Sequence, residues 1–296
     1  MGKRKKINEL REELKLSGAS PFALTEAYKA VRTNLLFSLA ADSRTTFLIS
    51  SPGVGEGKST TSANLAITLA QTSAKVLLID ADLRKPTQHK IFRVDNSHGL
   101  SSFLVGMESL AESLKSNVEP RLDLFPSGPT PPNPSELLGS KNMGILLQKL
   151  EEHYDYILID TPPVNVVSDA LVLSGKTAGV ALVVKHCSTA YEELRRAIEA
   201  IQFANSRVLG VILANVDESK DSYTRGYNKY GYSKRYGYGY GTENQESGFA
   251  EPVTEKRKVS SAYPEASVEN QAPTAKEPLT DAARQAVFQR RPEDRK

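Results

Sequence analysis

The sequence predicts an α/β domain, a mostly parallel β-sheet flanked by helices, followed by a tail that does not fold. Three observations predict it. Short apolar runs of strand length alternate with segments of helical periodicity up to Val216. A Gly-rich turn joins the first such run to a helix, as in a βα unit. Beyond Val216 large apolar residues thin out and prolines recur at Pro252, Pro264, Pro273, Pro278 and Pro292. The hydrophobic fraction of 39% sits at the low edge of the globular range, which such a tail explains.

In chain order, residues 7–16 and 22–41 read as helices. In the second, Phe22, Leu24, Ala27, Val31, Leu35 and Leu39 recur near helical spacing, opposite Glu26, Lys29 and Arg32. Thr46 to Ser50 is an apolar strand, and a helix follows from about Lys58 to Thr72. Lys75 to Ile79 is a second strand, without polar alternation, as expected for a parallel strand covered on both faces. Tyr156 to Ile159, Gly179 to Val184 and Val208 to Leu213 give three more strands. Helices fit about Lys141 to His153, Asp169 to Leu173 and Thr189 to Asn205. The chain divides into a basic N-terminal segment (1–20), the α/β domain (21–218), a tyrosine-rich segment (219–241) and a disordered tail (242–296), with a short helix allowed around Asp281 to Gln289.

Composition excludes several classes. With 38 Lys+Arg against 35 Asp+Glu the net charge is +3, so no nucleic-acid partner is expected. The one cysteine, Cys187, rules out an internal disulfide and reads as an inert small hydrophobe. No apolar run approaches the ~20 residues of a membrane span. Lys3 to Lys6 are basic, but Asn8, Glu9, Arg11 and Glu12 follow where a signal peptide would be apolar. A cytoplasmic location is expected.

Chemistry concentrates in the run from Ser50 to Thr60, Ser-Ser-Pro-Gly-Val-Gly-Glu-Gly-Lys-Ser-Thr, between strand and helix. It matches the end of the P-loop pattern, with Pro52 in place of the first Gly. Gly53, Val54, Gly55, Glu56 and Gly57 supply a flexible turn whose N–H groups can curl around an anion at a helix N-terminus, with Thr60 in the helix's first turn. Lys58 would reach the β- and γ-phosphates and Ser59 would sit on Mg²⁺. Two further strands end in acids, at Asp80 and Asp82 (followed by Arg84) and at Asp160. Carboxylates at the C-terminal edge of a parallel sheet point into the ligand crevice, where Mg²⁺ needs oxygen ligands. Each is equally an N-cap candidate on its own. Beside a P-loop the three point to Mg²⁺–nucleotide chemistry. No Asn-Lys-x-Asp guanine-reading motif occurs, so ATP is the expected nucleotide.

With these residues in view, the chain resembles the bacterial tyrosine kinases of capsule and exopolysaccharide biosynthesis, P-loop NTPases of the deviant Walker group. The resemblance covers roughly residues 20–241. It rests on Gly53–Thr60, on Asp80, Asp82 and Arg84, on the strand ending at Asp160, and on Leu83-Arg84-Lys85-Pro86 and Pro131 to Leu138. It implies an ATP- and Mg²⁺-dependent protein tyrosine kinase. Lys58, Asp80, Asp82 and Asp160 would be catalytic, with Ser59 and the three acids around the metal. Residues 53–60 and Arg84 would bind the nucleotide, and Asp82 would position or deprotonate the acceptor tyrosine. Glu26, Lys29 and Arg32 resemble the family's Glu-x-x-Arg-x-x-Arg oligomerisation signature; Lys29 lacks the bidentate fork of Arg, and a plain charged helix face is the alternative. The resemblance also implies a transmembrane adaptor that activates the kinase at the inner face of the membrane, a ring-like homo-oligomer, a cognate phosphotyrosine phosphatase and other protein substrates.

Seven of the 12 tyrosines, Tyr223, Tyr227, Tyr230, Tyr232, Tyr236, Tyr238 and Tyr240, fall within 18 residues. They are the expected phosphoacceptors, modified in trans; a base-stacking tail is the alternative. Residues 219–241 hold five basic side chains against one acid, a local charge of +4. Each phosphotyrosine adds about −1.5 to −2, so three reverse the sign. The competing function is a ParA- or MinD-like positioning ATPase that modifies no protein. Gly53, where partition-type ATPases carry a signature lysine, and the tyrosine cluster favour the kinase.

Overall fold

The computed structural model describes residues 15–40 and 44–216. Of the helix expected over 7–16, residues 7–14 lie outside the described residues and Lys15 and Leu16 are not helical; the tyrosine cluster and the tail also lie outside the described residues. Seven strands form one sheet in the order β3-β4-β2-β5-β1-β6-β7. They are β1 Thr46–Ser50, β2 Val76–Asp80, β3 Lys115–Glu119, β4 Leu122–Phe125, β5 Tyr156–Asp160, β6 Val180–Lys185 and β7 Val208–Ala214. All pairings are parallel except β3 with β4. The longer helices are α1 Phe22–Leu39, α2 Lys58–Ala70, α7 Lys141–Glu151 and α9 Tyr191–Phe203. Shorter ones are α3 Gln88–Ile91, α4 Leu100–Leu104, α5 Leu110–Ser113, α6 Pro134–Gly139 and α8 Asp169–Ser174. Among the described residues no helix is long and apolar enough to cross a membrane.

The central strands are covered on both faces, which is why their sequences carry no polar alternation. Phe47 and Ile49 of β1 face one core with Leu35, Leu39 and much of α2, while Leu48 faces a second core with Leu146, Leu150 and Ile201. β2 and β5 divide in the same way: Leu78 and Leu158 join the first core, Leu77, Ile79, Ile157 and Ile159 the second. The α/β expectation and all five expected strands are observed, with ends shifted by a residue at most.

The structure corrects or extends the sequence expectations at four points. The β3–β4 hairpin carries no sequence signal, because Lys-Ser-Asn-Val-Glu is polar and lies on the sheet edge, where nothing demands apolar alternation. In α1 the apolar stripe is buried only in its C-terminal half; Phe22 is 80% exposed while Leu35 and Leu39 are buried. Cys187 is exposed and takes a positive φ just past the end of β6, so it is not a core hydrophobe. Contact with the domain also begins before residue 21, since Leu16 is buried and its N–H donates to Asn64 Oδ1 at 2.8 Å.

One buried polar link ties the hairpin to the centre. The Tyr154 hydroxyl donates to Asp123 Oδ2 at 2.6 Å, and the Asn117 N–H donates to Asp123 Oδ1 at 2.8 Å. Removing the hydroxyl leaves a buried carboxylate oxygen short of a donor. Tyr154→Phe is therefore expected to lower unfolding free energy by about 1–3 kcal/mol in urea denaturation; an unshifted midpoint would contradict this.

Candidate nucleotide site

β1 ends at Ser50, and the chain must turn sharply to enter α2. Gly55 at φ 81° and Gly57 at φ 93° take the left-handed conformations that make the turn, a region costly for residues with a Cβ. Ser51 is fixed from behind, its carbonyl accepting the Val164 N–H at 2.8 Å. α2 begins with Gly57 as N-cap and no side chain caps it, so its first-turn N–H groups and dipole face the loop. This geometry suits an anion. Glu56 is buried within the loop and its Oε1 accepts the Gly53 N–H at 3.1 Å. Val54, at the loop's outer turn, is exposed.

The acids arrive from the sheet. Parallel pairing sets Asp80 at the end of β2 directly beside Asp160 at the end of β5. Lys58, the first residue of α2, reaches over them: its Nζ donates to Asp82 Oδ2 at 2.8 Å and lies 3.8 Å from Asp160 Oδ1. The same Nζ is 3.2 Å from Ser59 Oγ. Asp160 also takes hydrogen bonds from Ser59 and from Gln88, whose Nε2 is 2.8 Å from Oδ2. Asp80 Oδ2 accepts the N–H groups of Thr87 and Gln88, both at 2.9 Å. Asp80 therefore secures the entry to α3 as an N-cap would, while Asp82 and Asp160 face Lys58.

Electrostatics follow from this crowding. Burial pushes the Asp80 carboxyl up to about 7, the Asp160 charge adds to the rise, and the N–H groups of Gln88 and Thr87 oppose it. Asp160 is raised as well, by burial first, with Lys58, Ser59 and Gln88 pulling it back. Burial alone would lower Lys58, but Asp160 and Asp82 together hold it above the ordinary lysine range. Burial raises Glu56.

The donor set fits Mg²⁺ rather than a self-sufficient metal cage. Among the described residues no three His, Cys, Asp or Glu side chains form a metal-holding group. Mg²⁺ is ordinarily held by one or two carboxylates together with substrate phosphates and water, and the Ser59 hydroxyl beside Asp82 and Asp160 offers such a partial set.

The remaining expected residues lie elsewhere. Arg84 makes a bidentate pair with buried Asp169 (Nε to Oδ2 2.9 Å, Nη2 to Oδ1 3.0 Å) and reaches Ser135 Oγ at 3.1 Å. It ties the β2 end to α6 and α8, with its guanidinium committed to Asp169 and Ser135. In α1, Lys29 pairs with Glu26 at 2.7 Å, and Arg32 donates to the Thr68 carbonyl of α2 at 2.7 Å. Sequence reasoning missed Gln88, Asp169 and Ser62, whose Oγ donates to the Lys58 carbonyl at 2.9 Å. Only a polar residue within an otherwise patterned segment marks them, and that signal is weak without the fold.

The profile of the AAA domain family matches residues 47–209. Tyrosine-protein kinase YwqD of Bacillus subtilis (strain 168) is 42% identical over 208 residues, covering 70% of this chain and 85% of that protein. The kinase domain of Escherichia coli tyrosine kinase ETK aligns with a TM-score of 0.63 at 35% identity, over 65% of this chain and 75% of that one. The chimerical protein CapA2B2 aligns with a TM-score of 0.62 at 39% identity, over 66% and 85%.

The raised Asp80 carboxyl has a thermodynamic consequence. The unfolded chain releases this proton near 3.8 and the folded, nucleotide-free protein keeps it to about 7. Between those values the folded state binds more protons, so this group lowers stability as pH rises. The melting temperature of nucleotide-free Asp80→Asn is expected to fall less steeply with pH across that window than the parent's; parallel pH profiles would contradict it.

Proposed function

The chain belongs to the AAA domain family and, within it, to the bacterial tyrosine-protein kinases, and on that footing we propose that it transfers the terminal phosphoryl of ATP to its own tyrosines 223–240 in trans. The observation that carries this reading is the Lys58 ammonium at the head of the Gly-rich loop, 2.8 Å from Asp82 and 3.8 Å from Asp160. In the proposed reaction the loop amides and Lys58 hold the β- and γ-phosphates. Asp82 accepts the phenol proton as the new oxygen–phosphorus bond forms and the bond to ADP breaks. A tyrosine hydroxyl has a pKa near 10, so a carboxylate at the acceptor serves where free phenolate is scarce. Asp80 and Asp160 organise the site through their fixed hydrogen bonds. Mg²⁺, when bound at Ser59 and the acids, neutralises charge on the phosphate oxygens. Arg84 enters as a nucleotide contact only if it leaves Asp169.

The +4 segment at 219–241 is attracted to a carboxylate-lined site and repelled once phosphorylated, which loosens a homo-oligomer built on Glu26, Lys29 and Arg32. The resemblance supports the rest of the proposal. A transmembrane adaptor recruits the kinase to the inner face of the membrane and activates it. A phosphatase reverses the modification, other proteins are also substrates, and the cycle regulates polysaccharide synthesis and export.

Incubation of the full chain with Mg²⁺ and ATP is expected to yield phosphotyrosine within 219–241, and Lys58→Met to lower labelling by about 100-fold or more. ATP hydrolysis without phosphotyrosine would select the positioning ATPase instead. Replacing all seven clustered tyrosines by Phe is expected to leave an oligomer that ATP does not dissociate, measured by light scattering; dissociation of that variant by ATP would defeat the charge switch.

A further inference from the structure

Gln88 is fully buried and no part of the sequence pattern explains it. It is the first residue of α3, at the meeting point of three elements. Its backbone N–H donates to Asp80 Oδ2 at 2.9 Å. Its side-chain Nε2 donates to Asp160 Oδ2 at 2.8 Å and to the Ser59 carbonyl, in the first turn of α2, at 3.0 Å. One residue thus holds the acids at the ends of β2 and β5 and the start of the helix that carries Lys58.

The chemistry of the amide fixes its orientation. Both partners of Nε2, a carboxylate and a peptide carbonyl, are acceptors, so the NH₂ must face them; turned over, the amide would set its oxygen against two other oxygens. The correct orientation leaves Gln88 Oε1 buried without a hydrogen-bond partner among the described residues. Such an unmet acceptor is costly, and a plain apolar side chain would fill the same space without it. What an apolar side chain cannot provide is the two donors.

Those donors act on the rotation of a carboxylate. With Oδ2 held by Gln88, Asp160 turns its other oxygen, Oδ1, toward Lys58 Nζ at 3.8 Å and Ser62 Oγ at 3.4 Å. We propose that Gln88 is a positioning residue: it locks the Asp160 carboxylate so that Oδ1 faces Lys58, at the site where Ser59 also hydrogen-bonds Asp160 and where Mg²⁺ and the nucleotide phosphates are received. The proposal rests on the nucleotide reading above. It predicts a specific defect, a weakened Mg²⁺ response in nucleotide binding, with Mg²⁺-free binding spared.

The test uses the full chain, a fluorescent ADP analogue and a titration of MgCl₂, with melting temperature measured alongside. Gln88→Met retains length and apolar volume and removes both donors. The Mg²⁺ concentration that half-saturates its ADP binding is expected to rise about 10-fold or more, the range seen when groups orienting a metal ligand are removed. ADP affinity without Mg²⁺ should stay within about twofold of the parent's, and labelling should lose kcat with little change in KM for ATP. Gln88→His places a ring N–H at a similar reach and should restore most of the Mg²⁺ response. An unchanged Mg²⁺ response in Gln88→Met, whatever its melting temperature, overturns the inference, as does a loss of Mg²⁺-free affinity equal to the loss with Mg²⁺. If Gln88→Met does not fold, Gln88→Asn, which draws the same amide back by one methylene, is titrated in its place: a rise in the half-saturating Mg²⁺ concentration supports the inference and an unchanged one overturns it. A parent chain that binds no ADP at all would instead sink the nucleotide reading.

Discussion

The structure turns on a concentration of buried charge: three aspartates at adjacent strand ends and one lysine reaching across them. Parallel pairing of β2 and β5 leaves Asp80 and Asp160 no freedom to separate, because their positions in register are fixed by the sheet. Burial raises both carboxyls, and like-charge repulsion adds to it, from Asp160 at Asp80 and from Asp82 at Asp160. Lys58, the N–H groups at the start of α3 and the Gln88 amide offset that repulsion without abolishing it. A site held in this condition favours the arrival of a cation, and of phosphates that draw the lysine away.

Everything around the acids serves to hold them still. The two cores on opposite faces of the sheet fix β1, β2 and β5 along their lengths, so the strand ends arrive in register. The Gly-rich loop turns the chain tightly enough that α2 starts beside the acids, and Gly55 and Gly57 make that turn in conformations closed to most residues. Arg84 braces the far side: through Asp169 and Ser135 it joins the β2 end to α6 and α8, so that the segment carrying Asp82 is anchored at both ends.

Much of this was legible in the sequence because it is local. The Gly-rich turn, the lysine and the acids at strand ends are each encoded within about ten residues, and the fully covered strands announce themselves as apolar runs. What escaped is what depends on distant partners. β3 is polar because it forms a sheet edge, and its pairing with β4 comes from the tight turn at Arg121 rather than from any pattern. Gln88 looks like an ordinary helix-start residue until the fold brings Asp160 within 2.8 Å, 72 positions away. Arg84 sits in a motif that suggests phosphate, yet its carboxylate partner is 85 residues further on. Phe22 and Leu24 illustrate the converse: a helical stripe states that a face is apolar and not that its own chain covers it.

A crystal structure of the chain with Mg²⁺ and ADP is the most direct measurement. We expect the diphosphate in the turn of residues 53–60, the cation on Ser59 with Asp82 or Asp160 nearby, and Lys58 moved from its aspartate onto phosphate oxygen. A nucleotide seated away from that turn, or a lysine still paired with Asp82 while the phosphates lie beside it, would contradict the role given to the buried charges.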